Sequence, residues 1–168
     1  ITTVSEFNRE LIERKTGLSP SVIPLGIRSE RFRNVEGSSV RDAYNIPPES
    51  EILLFVGRFH RYKDVETLIA AFAGAPARHD GPLELVLLGG GPNECRVRTH
   101  VQDYGVADSG TFVSDVSDSV LTDFYNESTL FTFPSYGERF GLVYLEAIAA
   151  GLPIIYVEDG AAPEVVGD

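Results

Sequence analysis

Two glutamates, Glu138 and Glu146, have the types and spacing that suit binding of a polar ligand. Helix-forming residues fill positions 141–150, which predicts that Glu138 lies in the loop before a helix and Glu146 within it. Because the neighbours of Glu146 are apolar, we expect its carboxylate to be poorly solvated and to need hydrogen-bond donors, which ligand hydroxyls can supply. The alternative is that one glutamate faces water and the other caps the turn.

A basic loop at residues 57–63 follows the apolar run 51–56 and precedes a predicted helix. Arg58 offers a planar fork of donors and Lys63 a point charge, a combination that binds phosphate oxygens well. Together with the free N–H groups of the next helix, these two side chains are suited to hold a diphosphate. The alternative is a solvated basic loop with Arg61 as its third member.

A glycine-rich turn, Gly89–Pro92, also connects a strand to a helix, so its backbone can approach a phosphate or a sugar closely. Taken alone, however, this loop is better explained as an ordinary strand-to-helix turn. Glu94 stands where a dinucleotide-binding fingerprint needs its third glycine, which argues against a dehydrogenase. The sequence contains no Walker A loop, no Asp-x-Asp pair and no serine nucleophile elbow. These absences argue against P-loop NTPases, metal-dependent sugar transferases of another fold, and hydrolases.

Apolar runs and helical patterns alternate along the chain for about six cycles, which predicts an α/β fold with a doubly wound parallel sheet of about six strands. In such sheets, ligands bind beyond the carboxyl ends of the strands. Each candidate segment does follow a predicted strand, which indicates a binding crevice. These segments are 57–63, 89–92, 114–117 and 135–141.

Composition limits the class of protein. The 168 residues are 43% apolar, which suits one domain with a sizeable core. The net charge of −11 argues against nucleic acid as a partner, and no apolar run reaches membrane-spanning length. The single cysteine, Cys95, excludes an internal disulfide and favours a cytoplasmic setting. Methionine is absent, so we expect a fragment.

Several motifs occur in a fixed order over nearly the whole chain, and together they are far more specific than any one of them. They are Val22–Ile27, Val56-Gly57-Arg58 with Lys63, Thr67–Phe72, Leu88–Pro92, Phe112–Ser114, Pro134-Ser135, the pair Glu138 and Glu146 with seven residues between them, and Gly160–Glu164. This series resembles the donor-binding domain of retaining GT-B glycosyltransferases of family 4. Leu25, Asp64 and Arg139 depart from residues that are frequent in that family, which bears on sugar choice.

The resemblance implies transfer of a sugar from a nucleotide-diphosphate sugar with retention of configuration, without a cofactor and without an obligatory metal. Arg58 and Lys63 match the pair that binds the donor diphosphate. Glu146 matches the residue that binds the ribose hydroxyls, and Glu138 matches the glutamate beside the transferred sugar. The other matched donor contacts are Gly57, Gly90, the amides of Phe140, Gly141 and Leu142, and the backbone near Asp115 and Val116, which would meet the base.

The resemblance also sets expectations for organisation. We expect residues 1–168 to be one donor-binding domain, truncated at its C-terminal end, with the acceptor bound by a preceding domain outside this chain. We expect a cytoplasmic protein, with peripheral attachment to the cytoplasmic membrane face through that domain as a further option. The alternatives are a nucleotide-sugar epimerase or a phosphorylase of the same architecture, or a non-catalytic nucleotide-binding module.

Overall fold

A computed structural model describes residues 1–32, 40–75 and 79–167, which form strands joined by helices. The strands are β1 Thr2–Thr3, β2 Ser21–Val22, β3 Glu51–Val56, β4 Leu83–Leu88, β5 Gly110–Val113, β6 Leu130–Phe133 and β7 Ile154–Tyr156. The α-helices are α1 Glu6–Thr16, α2 Val40–Tyr44, α3 Val65–Gly74, α4 Glu94–Asp103, α5 Asp118–Glu127, α6 Leu142–Ala149 and α7 Ala162–Val166. Short 3₁₀ turns cover Ser29–Phe32, Arg61–Lys63 and Ala107–Ser109.

The main sheet is parallel, with the strand order β5-β4-β3-β6-β7. Strands β3 and β4 pair from Glu51 and Leu83 to Val56 and Leu88, and β3 pairs on its other side with β6. The chain therefore reverses its direction of travel across the sheet between β3 and β6, and such a switch point is where open α/β sheets bind ligands. The predicted doubly wound α/β class is confirmed.

Buried aromatic side chains fill the core beneath this switch point. Phe133, at the end of β6, packs 5.4 Å from the ring of Phe55 and meets Tyr144 of α6 edge to face at 5.3 Å. All three residues are at most 1% exposed. Helix α6 is thus fixed to the sheet at the carboxyl end of β6, where the loop with Glu138 begins.

The first two strands form a small sheet of their own. Strands β1 and β2 pair in parallel on either side of α1, and neither joins the main sheet. Ser5 caps α1 by accepting the Asn8 N–H at 3.1 Å, and the Glu164 carboxylate of α7 accepts the Glu6 N–H at 2.9 Å. The second bond attaches the start of α1 to α7. A single domain over residues 1–168 stays a prediction.

Two helix starts can be compared with the sequence pattern. The pattern predicts a helix over residues 38–44, and α2 covers Val40–Tyr44, while residues 38 and 39 lie outside the described ranges. The pattern also predicts a helix over residues 116–126, but α5 begins at Asp118 because Ser117 caps it by accepting the Val120 N–H at 3.4 Å. Within the described ranges, no helix has both the length and the apolar character needed to cross a membrane.

Candidate functional site

The loop between β6 and α6 is held against the loop before α3 by Ser135. This serine is fully buried, and its hydroxyl lies 2.5 Å from Oε1 of Glu138 and 3.3 Å from the carbonyl oxygen of Tyr62. The Tyr136 N–H also donates to the Tyr62 carbonyl at 2.8 Å. The carboxyl ends of β3 and β6 are therefore joined by direct hydrogen bonds.

Lys63 and Glu138 meet at this junction, although they are 75 residues apart in the chain. Their side chains form an ion pair between Nζ and Oε1, and each side chain is 11% exposed. The ammonium group also lies 4.5 Å from the centre of the Phe133 ring, where a cation is favoured. Oε2 of Glu138 accepts no hydrogen bond from the described residues, so it is free to accept one from a ligand hydroxyl.

The loop that follows β7 clamps the backbone on either side of Glu138. The Ala161 N–H donates to the Glu138 carbonyl at 2.8 Å, and Oδ2 of Asp159 accepts the Gly137 N–H at 2.6 Å. Gly160 lies so close that a Cβ atom there would be 2.6 Å from the Glu138 nitrogen. Only glycine fits at this position without moving the loop.

Helix α6 begins with backbone donors that no group of the described residues accepts. Gly141 has φ of +84°, and a Cβ on it would lie 2.6 Å from the buried ring of Tyr144. Within the described part of the chain, the N–H groups of Phe140, Gly141 and Leu142 donate to no acceptor. Free N–H groups at a helix N-terminus attract anions through both hydrogen bonding and the helix dipole.

Glu146 lies one turn further along α6, and its side chain is 13% exposed. The protein itself supplies hydrogen-bond donors to this carboxylate. Arg31 donates to Oε1 at 2.7 Å, and the Tyr125 hydroxyl donates to Oε2 at 2.9 Å. Burial raises the pKa of Glu146, and the bonds from Tyr125 and Arg31 counteract part of that rise. Burial and the charge of Glu146 raise the pKa of the Tyr125 phenol well above its ordinary range.

The glycine loops after β3 and β4 run side by side. Gly57 donates its N–H to the Leu88 carbonyl at 2.9 Å, and the Phe59 N–H donates to the Gly90 carbonyl at 2.9 Å. A Cβ at Gly89 would lie only 1.9 Å from the Gly57 carbonyl oxygen, so this close approach requires glycine. Arg58 projects from this pair of loops, is exposed, and pairs with no side chain in the described ranges.

Asp115 and Val116 follow β5 and lead into α5. Asp115 is exposed and adopts a left-handed conformation with φ of +53°, while Val116 is half-buried. At the start of α5, Oδ2 of Asp118 lies 3.6 Å from Nη1 of Arg31. The start of α5 is therefore linked to Glu146 through Arg31.

A cleft of about 570 Å³ opens over the Glu138 loop. The cleft is lined by part of the predicted site and by residues that follow β1 and β2. Its lining does not include Arg58, Gly90, Asp115, Val116 or Glu146. The lining residues are Val4, Leu25, Tyr62 and 136–141. The structure thus places the predicted residues at neighbouring strand ends, with only Glu138, Phe140 and Gly141 in this cleft.

A family model described as "Glycosyl transferases group 1" matches residues 38–168, which is most of the chain. The chain belongs to the group 1 glycosyltransferases. The match includes the loops after β3, β4, β5 and β6, so every residue proposed to contact a donor lies within the family's own region. The family is therefore shown over these four loops, whereas Val4, Leu25 and Arg31 lie before the matched region.

Individual relatives support this membership. The chain is 33% identical over 156 residues to a D-inositol 3-phosphate glycosyltransferase 2 of Catenulispora acidiphila, covering 88% of this chain and 36% of that protein. It is 32% identical over 177 residues to a GDP-mannose-dependent alpha-(1-6)-phosphatidylinositol monomannoside mannosyltransferase of Mycobacterium tuberculosis, covering 99% of this chain and 46% of that protein. This group 1 domain thus spans between about a third and a half of the length of these two relatives.

A solved structure shows the same fold. The structure of Anabaena HepE in complex with UDP and glucose superimposes with a TM-score of 0.87, covering 99% of this chain and 46% of that chain. The two are 18% identical, so this likeness concerns the fold. The fold of this group 1 domain is therefore that of half of a GT-B glycosyltransferase.

Two residues of the site were not identified from the sequence. Arg31 lies in a polar, irregular segment that gives no periodic signal. Tyr125 lies on α5, where the sequence pattern predicts Val120, Leu121 and Phe124 on the inward face and does not single out Tyr125. Groups of three or more metal-ligating side chains do not occur in the part of the chain that the structure describes.

Proposed function

We propose that this chain is the donor-binding part of a retaining glycosyltransferase of family 4, which transfers a sugar from a nucleotide-diphosphate sugar to an acceptor without an obligatory metal. The observation that carries the proposal is the meeting of Lys63 and Glu138 beside the unused N–H groups at the start of α6. Membership of the group 1 glycosyltransferases supports it. A cation, a carboxylate and free amides at one strand end suit a sugar diphosphate.

In this proposal, the diphosphate is bound by Arg58, Lys63 and the amides of Gly141 and Leu142. The leaving nucleoside diphosphate gains negative charge as the bond to the sugar breaks, so fixed donors that stabilise this charge accelerate the reaction. The net charge of the chain is −11, and a local group of cations and dipoles is therefore needed to hold an anion here. Gly57 and Gly90 allow the backbone to approach the donor closely.

The two glutamates take different parts of the donor. Glu138 accepts hydrogen bonds from hydroxyls of the transferred sugar, since its Oε2 accepts none from the described residues. Glu146 accepts hydrogen bonds from the ribose hydroxyls, and the backbone at Asp115 and Val116 contacts the base. This division follows the order of the loops along the carboxyl edge of the sheet, from β6 towards β5.

The acceptor site and the cellular setting belong to the proposal as well. We infer that a domain preceding this one binds the acceptor, because the two relatives above are more than twice as long as the matched region. We place the reaction in the cytoplasm, with peripheral attachment at the membrane face as a variant. The free, exposed thiol of Cys95 suits a reducing compartment.

Calorimetric titration of the protein with UDP, GDP and ADP, and then with their sugar conjugates, tests the donor site. The mannosyltransferase relative is GDP-dependent and the HepE structure contains UDP, so both nucleotides belong in the series. We predict that Arg58→Ala weakens binding of the preferred nucleotide by roughly 10- to 100-fold, since a hydrogen bond to a charged group contributes about 1.5–3 kcal/mol. Arg61→Ala, which removes a neighbouring exposed cation of the same loop, is the matched control and should bind normally.

Equal affinity in the Arg58→Ala variant and the wild type would refute the donor-site assignment. Sugar transfer by the protein then separates the transferase from the alternatives. An epimerase would convert the donor without an acceptor, and a binding module would bind the nucleotide without turnover. Transfer that persists in excess EDTA is the expected result for a metal-independent reaction.

A further inference from the structure

The surroundings of Glu146 contain a charged group that the proposed function does not yet use. Arg31 comes from the 3₁₀ turn before α2, Tyr125 from α5 and Glu146 from α6, and their polar atoms meet in one cluster. The Arg31 side chain is 32% exposed and the Glu146 side chain 13%. Arg31 and Glu146 are 115 residues apart in the sequence, so only the fold brings them together.

The hydrogen bonds within the cluster leave a defined capacity on the carboxylate. Each carboxylate oxygen has two acceptor positions. Arg31 occupies one position on Oε1, and Tyr125 occupies one on Oε2. One position therefore remains on each oxygen, which matches the two neighbouring hydroxyl groups of a ribose.

Arg31 is itself held in place on two sides. Its guanidinium carbon lies 4.7 Å above the ring of Phe32, which is 4% exposed and packs edge to face on Tyr125 at 5.6 Å. Its Nη1 lies 3.6 Å from the Asp118 carboxylate at the start of α5. The guanidinium group is thus fixed between a buried ring and two carboxylates.

We propose that Arg31 is a positioning residue of the donor site, whose guanidinium orients the Glu146 carboxylate and supplies its counter-charge so that both carboxylate oxygens accept ribose hydroxyls. The proposal rests on the assignment of Glu146 to the ribose under the proposed function. Arg31 acts through Glu146 and does not contact the donor. A carboxylate that rotates freely or carries a proton offers fewer acceptor positions to the ribose.

The charges around Glu146 support this role. Burial and the charge of Asp118 raise the Glu146 pKa, whereas Tyr125 and Arg31 lower it. Removing the Arg31 charge therefore leaves burial and Asp118 opposed only by Tyr125. The Glu146 pKa should then rise further, and the ionised form should be lost at a higher pH as the solution is acidified.

The test compares Arg31→Gln with Arg28→Gln, which removes an exposed arginine three residues earlier. The first measurement is a carboxyl ¹³C NMR titration of the nucleotide-free protein, with the Glu146 signal assigned by its loss in Glu146→Gln. We expect the Glu146 midpoint to move to higher pH in Arg31→Gln and to stay in place in Arg28→Gln. This measurement needs no nucleotide, so it tests the Arg31–Glu146 coupling even if the proposed function is wrong.

The second measurement is calorimetric affinity for the preferred nucleoside diphosphate as a function of pH. We expect Arg31→Gln to bind roughly tenfold more weakly near neutral pH and to lose affinity on acidification at a higher pH than the wild type. Arg31→Lys keeps the charge without the planar fork, so it should restore the NMR midpoint while recovering only part of the affinity. This variant also guards against a folding defect in Arg31→Gln.

Two outcomes would overturn the proposal. An unchanged Glu146 midpoint in Arg31→Gln shows that Arg31 does not supply the counter-charge. Weaker binding with an unchanged midpoint and an unchanged pH profile instead shows that Arg31 contacts the nucleotide directly, for example through Nε, which is buried and has no acceptor among the described residues. Failure of the wild type to bind any nucleotide refutes the donor-site function and, with it, the ribose role of Glu146.

Discussion

A single methyl group added at Gly160 tests whether the Glu138 loop is as tightly clamped as its contacts indicate. Gly160 has φ of +66°, and a Cβ there would lie 2.6 Å from the nitrogen and 2.7 Å from the oxygen of Glu138. Both are backbone atoms, and the oxygen already accepts the Ala161 N–H at 2.8 Å. The loop must therefore move to accommodate Gly160→Ala.

Gly105 provides a matched control for the backbone conformation. Its φ is +67°, and a Cβ there would meet no atom within 4 Å. Gly105→Ala therefore carries only the left-handed penalty, which is about 1 kcal/mol. Gly160→Ala carries the same penalty and an overpacking cost of about 1–3 kcal/mol, so its unfolding free energy should fall by about 2–4 kcal/mol in total.

Urea unfolding of both variants measures these losses, and nucleotide calorimetry measures the effect on the site. We expect Gly160→Ala to weaken nucleotide binding by at least about tenfold, since small displacements of binding groups are costly, while Gly105→Ala binds normally. Equal losses of unfolding free energy in the two variants would show that the Glu138 loop moves to accommodate the methyl group without an additional free-energy cost. The inference that Gly160 fixes the position of Glu138 would then be wrong.

Two further predictions concern stability. Burial raises the pKa of Glu84, so ionising this side chain costs folding free energy. Wild-type stability therefore falls as the pH rises from the ordinary glutamate pKa, about 4.3, through the higher folded-state pKa, and the melting-temperature advantage of Glu84→Gln should grow over that interval. Exposed Glu10→Gln is the control, and a pH-independent difference for Glu84→Gln would contradict the prediction. Arg139→Ala removes the bond to Asn8 of α1, so amide exchange in α1 should accelerate roughly threefold, with exchange in β3 unchanged. Unaltered exchange in α1 would show that this bond does not hold the helix.

The sequence was informative wherever a pattern spans several residues. The apolar run 51–56 predicted β3, and the rule that ligands bind at the carboxyl ends of parallel strands predicted that the loops with Lys63 and Glu138 line one crevice. Their contact follows because β3 and β6 are neighbours in the sheet. Local pattern was therefore sufficient to predict a shared crevice, whereas the contact itself depends on the strand order in the structure.

The partners of Glu146 needed the structure because they depend on one side chain each. Arg31 lies in a segment without periodicity, and nothing in its type distinguishes it from the exposed Arg28. Strand β1 has two residues, too few for an alternating pattern to be visible. The expectation that Glu146 needs donors was sound, but the protein supplies two of them itself.

The pairing of charges also indicates how an anionic donor would approach under the proposed function. Lys63 and Arg31 are already paired with carboxylates, so neither carries an isolated charge in the nucleotide-free protein. Arg58 is exposed and pairs with no described side chain, so a diphosphate meets it before the partly buried Lys63. In a chain of net charge −11, this unpaired cation offsets the general repulsion at the entrance to the site. Arg58 therefore contributes to capture of the donor as well as to its binding, whereas Lys63 contacts the donor only once it is in place and Arg31 acts through Glu146.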